Sequence, residues 1–468
     1  MKEGVPPSKD MLEKSLLKKG SVYSSLFLKE VNNKSSDISD RNDYINELFL
    51  YFIVPLYEKV YQLKFSGQQN LESLQLEQWL YFALRRATRK KIPPLELLSS
   101  YIKTSLSLIY ILLVSLLYIL VLPAYILVSF KSESRHVRSE SIAVIRSTAT
   151  YSKISFLEKE GVLFYFDSFA FQEEQNGASL YSAPILVRFM GLFVIPWLGL
   201  KDFISLFLTA RKHLGFLSSV KVLAYYKKRI AHKVSFEFYL NYLLRRLKPK
   251  KFYTGNKEDR FALIENRLCE ASYIKCICMP HGLEYAFRMP AGLVGDVFYC
   301  NSQNAKDYLS ELYKDSKTHF FFDINIVEKM LSKHVLEEKE KKVVFFPESR
   351  EPEKNLSIIK FLKESNINFY LKLHAKDSIE NYRPFVDKSF LIDDFNTGIT
   401  NSIILARKST ILLEAIYNHS IPIAVLVDDQ DRAYVEFMFP SLDDEKILKV
   451  YSFDELKNLI EELREENV

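Results

Sequence analysis

The alternation of apolar and polar positions divides the chain into three stretches. Residues 1–40 are polar and are expected to be mobile. From Asp43 to Lys91 apolar residues recur at helical spacing, as in Leu71, Leu74, Leu76, Trp79, Leu80 and Leu84, and Pro93-Pro94 ends that pattern. The run from Thr104 to Phe130 then carries no charged residue at all. It is long enough to cross the roughly 30 Å hydrocarbon layer of a bilayer. It is read either as a span or, broken at Pro123, as a re-entrant hairpin with both ends on one side, with a buried core helix the alternative.

After Ser139 the period shortens. Ile142-Ala143-Val144-Ile145 and Val162-Leu163-Phe164-Tyr165-Phe166 are short apolar runs separated by a helix-like stretch, a βαβ pattern. Pro184 to Leu208 is apolar again but is interrupted by Arg188, Pro196, Lys201 and Asp202, and it carries Trp197. Those interruptions fit a segment lying at a membrane interface, with core packing the alternative. Strand-like runs return at Tyr273–Met279, Val297–Cys300 and Phe320–Phe322. A charged helical connector covers 326–340. A second series follows, with strands expected at 342–346, 368–373, 389–392, 402–406 and 421–427 and helices between them. Strands alternating with helices predict parallel sheets. The pattern thus predicts a helical, membrane-associated extension over 1–139 and two Rossmann-like α/β domains over 140–325 and 326–468.

Composition changes this picture only in part. The 468 residues are 48% apolar, enough for large cores, and a net charge of +6 does not point to nucleic acid. The basic residues cluster at 85–91, at Lys227, Lys228, Arg229 and Lys233, and at 245–251, which suits anionic lipid head groups or simply solvated helix faces. Cys269, Cys276, Cys278 and Cys300 follow no zinc spacing and read as reduced core thiols of a cytoplasmic protein. Met1 to Asp10 holds no apolar signal-peptide core.

The candidate chemistry lies on strand ends, where ligands of such sheets bind. Met279-Pro280-His281-Gly282-Leu283-Glu284 follows a predicted strand. An imidazole with a near-neutral pKa suits proton abstraction from an acceptor hydroxyl, and Glu284 is placed to do that work or to orient His281. The bland alternative is a structural histidine and a surface glutamate. Arg350, in the loop after the first strand of the second domain, is a candidate to reach a phosphate across the cleft. His374 and Lys376 close the next strand, and Ser409-Thr410 open a helix that carries Glu414. Read as neighbouring strand ends, these elements offer charge, hydroxyls and helix N–H groups to one phosphate, with Glu414 on a ribose. Arg407 and Lys408 add positive charge.

Lys372-Leu373-His374 followed by Ser409-Thr410 resembles the Lys-x-His-Pro and Ser-Ser/Thr pair of bacterial GT-B sialyltransferases and capsule Kdo transferases, and CDP-glycerol polymerases show a similar arrangement. Ala375 stands where those families carry proline, and their acidic-Gly motif has no counterpart in the first domain. Pro280-His281-Gly282-Leu283-Glu284-Tyr285 resembles capsule and lipopolysaccharide transferases instead. The resemblance implies a metal-independent, inverting glycosyltransferase of GT-B fold. It would have no cofactor beyond its nucleotide-sugar donor, with a CMP-linked donor among the candidates. In the resembling families the positions of His374, Ser409 and Thr410 contact the donor phosphate. The expected acceptor is a surface-glycan or lipid-linked one, and the expected place is the cytoplasmic face of the inner membrane. A CDP-polyol phosphotransferase and a non-catalytic membrane adaptor for glycan assembly are the alternatives.

Overall fold

The computed structural model describes residues 25–38, 42–66, 76–90, 94–131, 139–171, 178–332, 341–349, 351–374 and 377–465. Two all-parallel sheets organise it. The first has seven strands, β1 (Ser141–Ile145), β2 (Leu163–Phe166), β3 (Ala178–Ser179), β4 (Lys251–Thr254), β5 (Lys275–Cys278), β6 (Val297–Tyr299) and β7 (His319–Phe321), in the order β3-β2-β1-β4-β5-β6-β7. The second has five, β8 (Lys342–Phe345), β9 (Tyr370–Leu371), β10 (Ser402–Ala406), β11 (Ile421–Val425) and β12 (Leu448–Val450), in the order β12-β11-β10-β8-β9. This is the two-domain α/β architecture expected of a GT-B-type chain, with helices added at the N-terminus.

β1 and β10 are apolar beyond their first serine because both faces are covered. Ile142–Ile145 of β1 and all of β10 are buried. Chain order reverses in the first sheet between β1 and β4, and in the second between β8 and β10. Those reversals splay the connecting loops apart at the C-terminal strand ends and open a crevice there.

Several expectations change. The expected strand at 389–392 is a 3-10 turn, Lys388–Phe390, with one isolated bridge between Leu371 and Leu391. The Asp387 carboxylate accepts from the Ser389 N–H at 2.8 Å, so that donor serves a local turn rather than a ladder. Residues 25–36, read as mobile, form a helix whose Phe27, Leu28 and Val31 are buried. Leu71, Leu74 and residues 333–340 of the connector lie outside the described residues. Pro123 does not break the long apolar run. Pro94–Ser129 is one continuous helix through it. The second apolar stretch is likewise one helix, Ile185–Leu214, and two of its interrupting charges, Arg188 and Asp202, are satisfied within the fold. Arg188 donates to the carbonyls of Ala183, Leu127 and Phe130, closing the C-terminal end of the Pro94–Ser129 helix. Asp202 pairs with Lys233 at 2.8 Å. Lys233 belongs to one of the basic clusters, yet it is buried among Asp43, Asp202 and Glu237.

Candidate active site

The crevice holds a cavity of about 410 Å³. Its walls come from the loops after β4, β5 and β10, closed by Tyr51 of the N-terminal helices and Phe439 of the second domain. Both domains and the extension therefore meet at one site.

His281 lines this cavity. Its backbone N–H donates to the Gly255 carbonyl at 3.1 Å, and Nδ1 lies 2.7 Å from the same oxygen. A carbonyl only accepts, so Nδ1 carries the proton and Nε2 keeps its lone pair. Burial holds the imidazole below the ordinary histidine range, outweighing the Gly255 hydrogen bond. The ring is thus neutral near pH 7, with one basic nitrogen available.

The close approach is possible because residue 255 is glycine. A Cβ there would meet Thr150 Cγ2 at 2.5 Å. Thr150 Oγ1 itself lies 3.5 Å from Nδ1.

The loop after β4 supplies residues that the sequence reading missed. Asn256, Lys257, Glu258 and Asp259 all line the cavity. Asn256 is 5% exposed, its backbone N–H donates to Thr254 Oγ1, and its Nδ2 has no hydrogen-bond partner. A buried amide donor left unpaired costs about 1–3 kcal/mol. The Lys257 ammonium stands 3.2 Å from Glu258 and 4.1 Å from the centre of the Tyr285 ring.

This loop is held from behind. Asp259 caps the Arg260–Ala271 helix by accepting from the Ala262 N–H, and takes a 3.0 Å hydrogen bond from Arg146, the residue after β1. The Arg146 guanidinium lies 3.5 Å from the Phe261 ring centre and 3.7 Å from Asp167, the residue after β2. Asp167 accepts from Tyr181 at 2.8 Å and sits 2.8 Å from His232. Burial pushes the Asp167 carboxyl upward, but His232 and Arg146 outweigh it and hold it below the usual carboxylate range. On the other side, Arg260 binds Glu47 at 2.8 Å, so the N-terminal extension buttresses the site.

The second domain contributes Lys408, Ser409 and Thr410 to the wall. Ser409 Oγ lies 3.4 Å from the Ile411 N–H, and the following helix, Ile411–Ile416, is short. The two cations before them are already engaged. Arg407 is buried and bound to Asp431 and Glu351. Lys408 binds Asp431 at 2.7 Å and Glu351 at 3.0 Å. At Glu351 burial works against ionisation, yet hydrogen bonds from Lys354 and Lys408 hold its pKa to about 2.

Other expected site residues are placed differently. Glu284 is wholly buried and does not line the cavity. One oxygen accepts from the backbone and side-chain amides of Asn301, both at 2.9 Å, and the other accepts from Ser441. It pins the second domain to the first and is not aimed at a substrate. Glu414 is also buried, 2.6 Å from Lys153 of the first domain. His374 is exposed at the end of β9 and does not line the cavity. β9 and β10 are not neighbours, since β8 lies between them, so His374 and Ser409-Thr410 do not close adjacent strands as expected. Arg350 and Lys376 lie outside the described residues. Among the described residues no group of three or more His, Cys, Asp or Glu side chains is placed to hold a metal ion. The four cysteines are free and buried.

No protein-family model matches the sequence, and no curated protein matches it. Among solved structures the chain is similar to the UDP-GlcNAc 2-epimerase from Neisseria meningitidis bound to UDP-GlcNAc. The similarity has a TM-score of 0.38 at 12% identity, over 69% of this chain and 90% of that one. Likeness at that level speaks to neither activity nor substrate.

Proposed function

We propose that the cavity is the transfer site of a GT-B-type glycosyltransferase that uses a nucleotide-activated sugar. His281 takes the proton from the acceptor hydroxyl at Nε2. The acceptor oxygen attacks the anomeric carbon of the donor. The bond from that carbon to the nucleotide phosphate breaks, and the phosphate leaves with the electron pair. Ser409 and Thr410 on the opposite wall offer hydroxyls to that phosphate, and the unpaired Asn256 Nδ2 and the Lys257 ammonium offer donors to substrate oxygens.

One observation carries this reading: the Gly255 carbonyl fixes the His281 tautomer at 2.7 Å while burial keeps the ring neutral, on the wall of a cavity shared by two α/β domains. A positioned base of that kind contributes typically 10²–10⁴-fold to proton transfer. On this reading the acceptor is a lipid-linked or surface glycan of the capsule or lipopolysaccharide type, made on the cytoplasmic side of the inner membrane.

The test is a thermal-shift panel of CMP-, CDP-, UDP- and GDP-sugars, followed by a transfer assay read by mass spectrometry. One nucleotide class is expected to raise the Tm, since a ligand at a hundred times its Kd stabilises by about 2.7 kcal/mol. A chain stabilised by no nucleotide at millimolar concentration is not a nucleotide-sugar transferase. A CDP-alcohol that transfers in place of any sugar assigns the polyol-phosphate chemistry instead.

A further inference from the structure

The Pro94–Ser129 and Ile185–Leu214 helices pack against each other and leave an apolar face uncovered. On the first, Leu98, Ile102, Leu106, Leu113, Leu117 and Leu120 are all more than half exposed. On the second the same holds for Leu186, Phe189, Phe193 and Trp197. Each helix is long and apolar enough to cross a membrane. The contacts of the first helix oppose that placement.

Tyr101, near its start, stacks on Phe216 at 5.6 Å. Lys227 stands 5.5 Å from the Tyr110 ring and Lys228 5.0 Å from the Tyr118 ring. Tyr125 meets Phe169, just beyond β2, at 6.1 Å, and Arg188 holds the Leu127 carbonyl. The helix is therefore laid along the globular body from residue 101 to 127, about 39 Å at 1.5 Å per residue. That exceeds the roughly 30 Å hydrocarbon layer. Crossing a bilayer in this fold would carry Lys227, Lys228 and the end of β2 into the hydrocarbon.

The charges on these helices identify what covers the face. Lys103, Lys201, Arg211 and Lys212 are exposed and form no ion pair among the described residues. Lys201 shares a helix face with Trp197, Ile204 and Leu208, all exposed. Lysines in such a setting lay their stems on the apolar surface and lift the ammonium to a head group. A second copy of this chain would bring the same unpaired cations against each other, a costly arrangement for a two-fold interface. Anionic lipid satisfies both the apolar face and its lysines.

We propose that these two helices form a platform that lies flat in one leaflet of an anionic bilayer and does not cross it. The platform requires nothing of the transferase reading. It does sit close to the cavity, because Tyr51 on the cavity wall lies 6.0 Å from Tyr225, two residues before Lys227. A lipid-anchored acceptor would reach the cavity from that side.

The full chain, exchanged out of detergent, is floated with vesicles of phosphatidylcholine alone and of phosphatidylcholine with phosphatidylglycerol. Co-flotation is expected with the anionic vesicles and at least fivefold less with the neutral ones. Lys103→Glu with Lys201→Glu removes that preference, and Leu113→Glu with Trp197→Glu abolishes flotation while the Tm stays near wild type. Orientation is read in sealed vesicles carrying Ser99→Cys or Lys131→Cys, since the native cysteines are buried. A membrane-impermeant maleimide is expected to label each to the same extent before and after permeabilisation. A rise at one end only on permeabilisation shows a crossing helix and overturns the proposal. So does equal flotation with neutral vesicles, or a dimer in dilute solution that does not float.

Discussion

The Nδ1 atom of His281 lies 2.7 Å from the Gly255 carbonyl oxygen, and this contact sets which ring nitrogen is basic. His281→Asn places an amide N–H near Nδ1, so the hydrogen bond to Gly255 survives and the base does not. We expect a loss of at least a hundredfold in kcat, with a Tm within a few degrees of wild type and unchanged donor binding. The pH profile gives the second reading. Burial lowers the His281 pKa below its ordinary 6.5, and the neutral ring is the active form. The acidic limb of kcat/KM should therefore fall below pH 6.5 and be absent in the variant. A limb centred above pH 7 would exclude His281 as the base.

Gly255 is tested through its neighbour. In Gly255→Ala the new Cβ meets Thr150 Cγ2 at 2.5 Å, so the loop or the Thr148–Ile154 helix must shift. We expect a loss of about 1–3 kcal/mol and a drop in activity as the carbonyl leaves Nδ1. Thr150→Ser deletes that methyl and should recover most of both in the double variant. Additive losses in the double variant would mean that Thr150 is not the obstacle.

Much of the fold was legible in the sequence, because both α/β series alternate apolar strands with helices and strands such as β1 and β10 are apolar on both faces. β4 was not. It is four residues long and begins at Lys251 inside a basic run, so its sequence reads as the tail of a helix. Missing β4 hid the loop 255–259, and with it Asn256, Lys257 and the partner of His281. His281 and Ser409-Thr410, which line the cavity, were legible as strand-end residues because each follows a readable strand. The burial of Glu284 was not legible, because its partners Asn301 and Ser441 are distant in the chain. The same is true of Glu414, whose partner Lys153 lies on the other domain.

Lys153 and Glu414 decide between a ribose contact and a domain clamp. Their charged atoms are 2.6 Å apart and both side chains are buried. Lys153→Met leaves the Glu414 charge without this partner, which should cost about 3–5 kcal/mol. Adding Glu414→Gln should return much of that loss. If the pair is only a clamp, the KM for donor in Glu414→Gln stays within twofold while the Tm falls. A tenfold rise in KM at unchanged Tm would restore the ribose role.

Glu265 is expected to make the stability of the first domain fall as pH rises. It is fully buried beneath β4, with Oε2 accepting from Thr254 at 2.5 Å and Oε1 unpartnered. Burial pushes its pKa up to about 8, against 4.5 in the unfolded chain, with Arg146 and the Thr254 hydrogen bond opposing. The folded state therefore holds a proton that the unfolded state releases. Its stabilising contribution is complete below pH 4.5 and is lost between there and about pH 8. Each unit of that interval is worth roughly 1.4 kcal/mol, so a few kcal/mol are at stake. Glu265→Gln keeps a neutral side chain of the same shape at every pH. Urea unfolding at pH 5 and at pH 8 should show the wild type losing more stability over that range than Glu265→Gln does. Equal losses in the two proteins would place the Glu265 titration where it is in the unfolded chain.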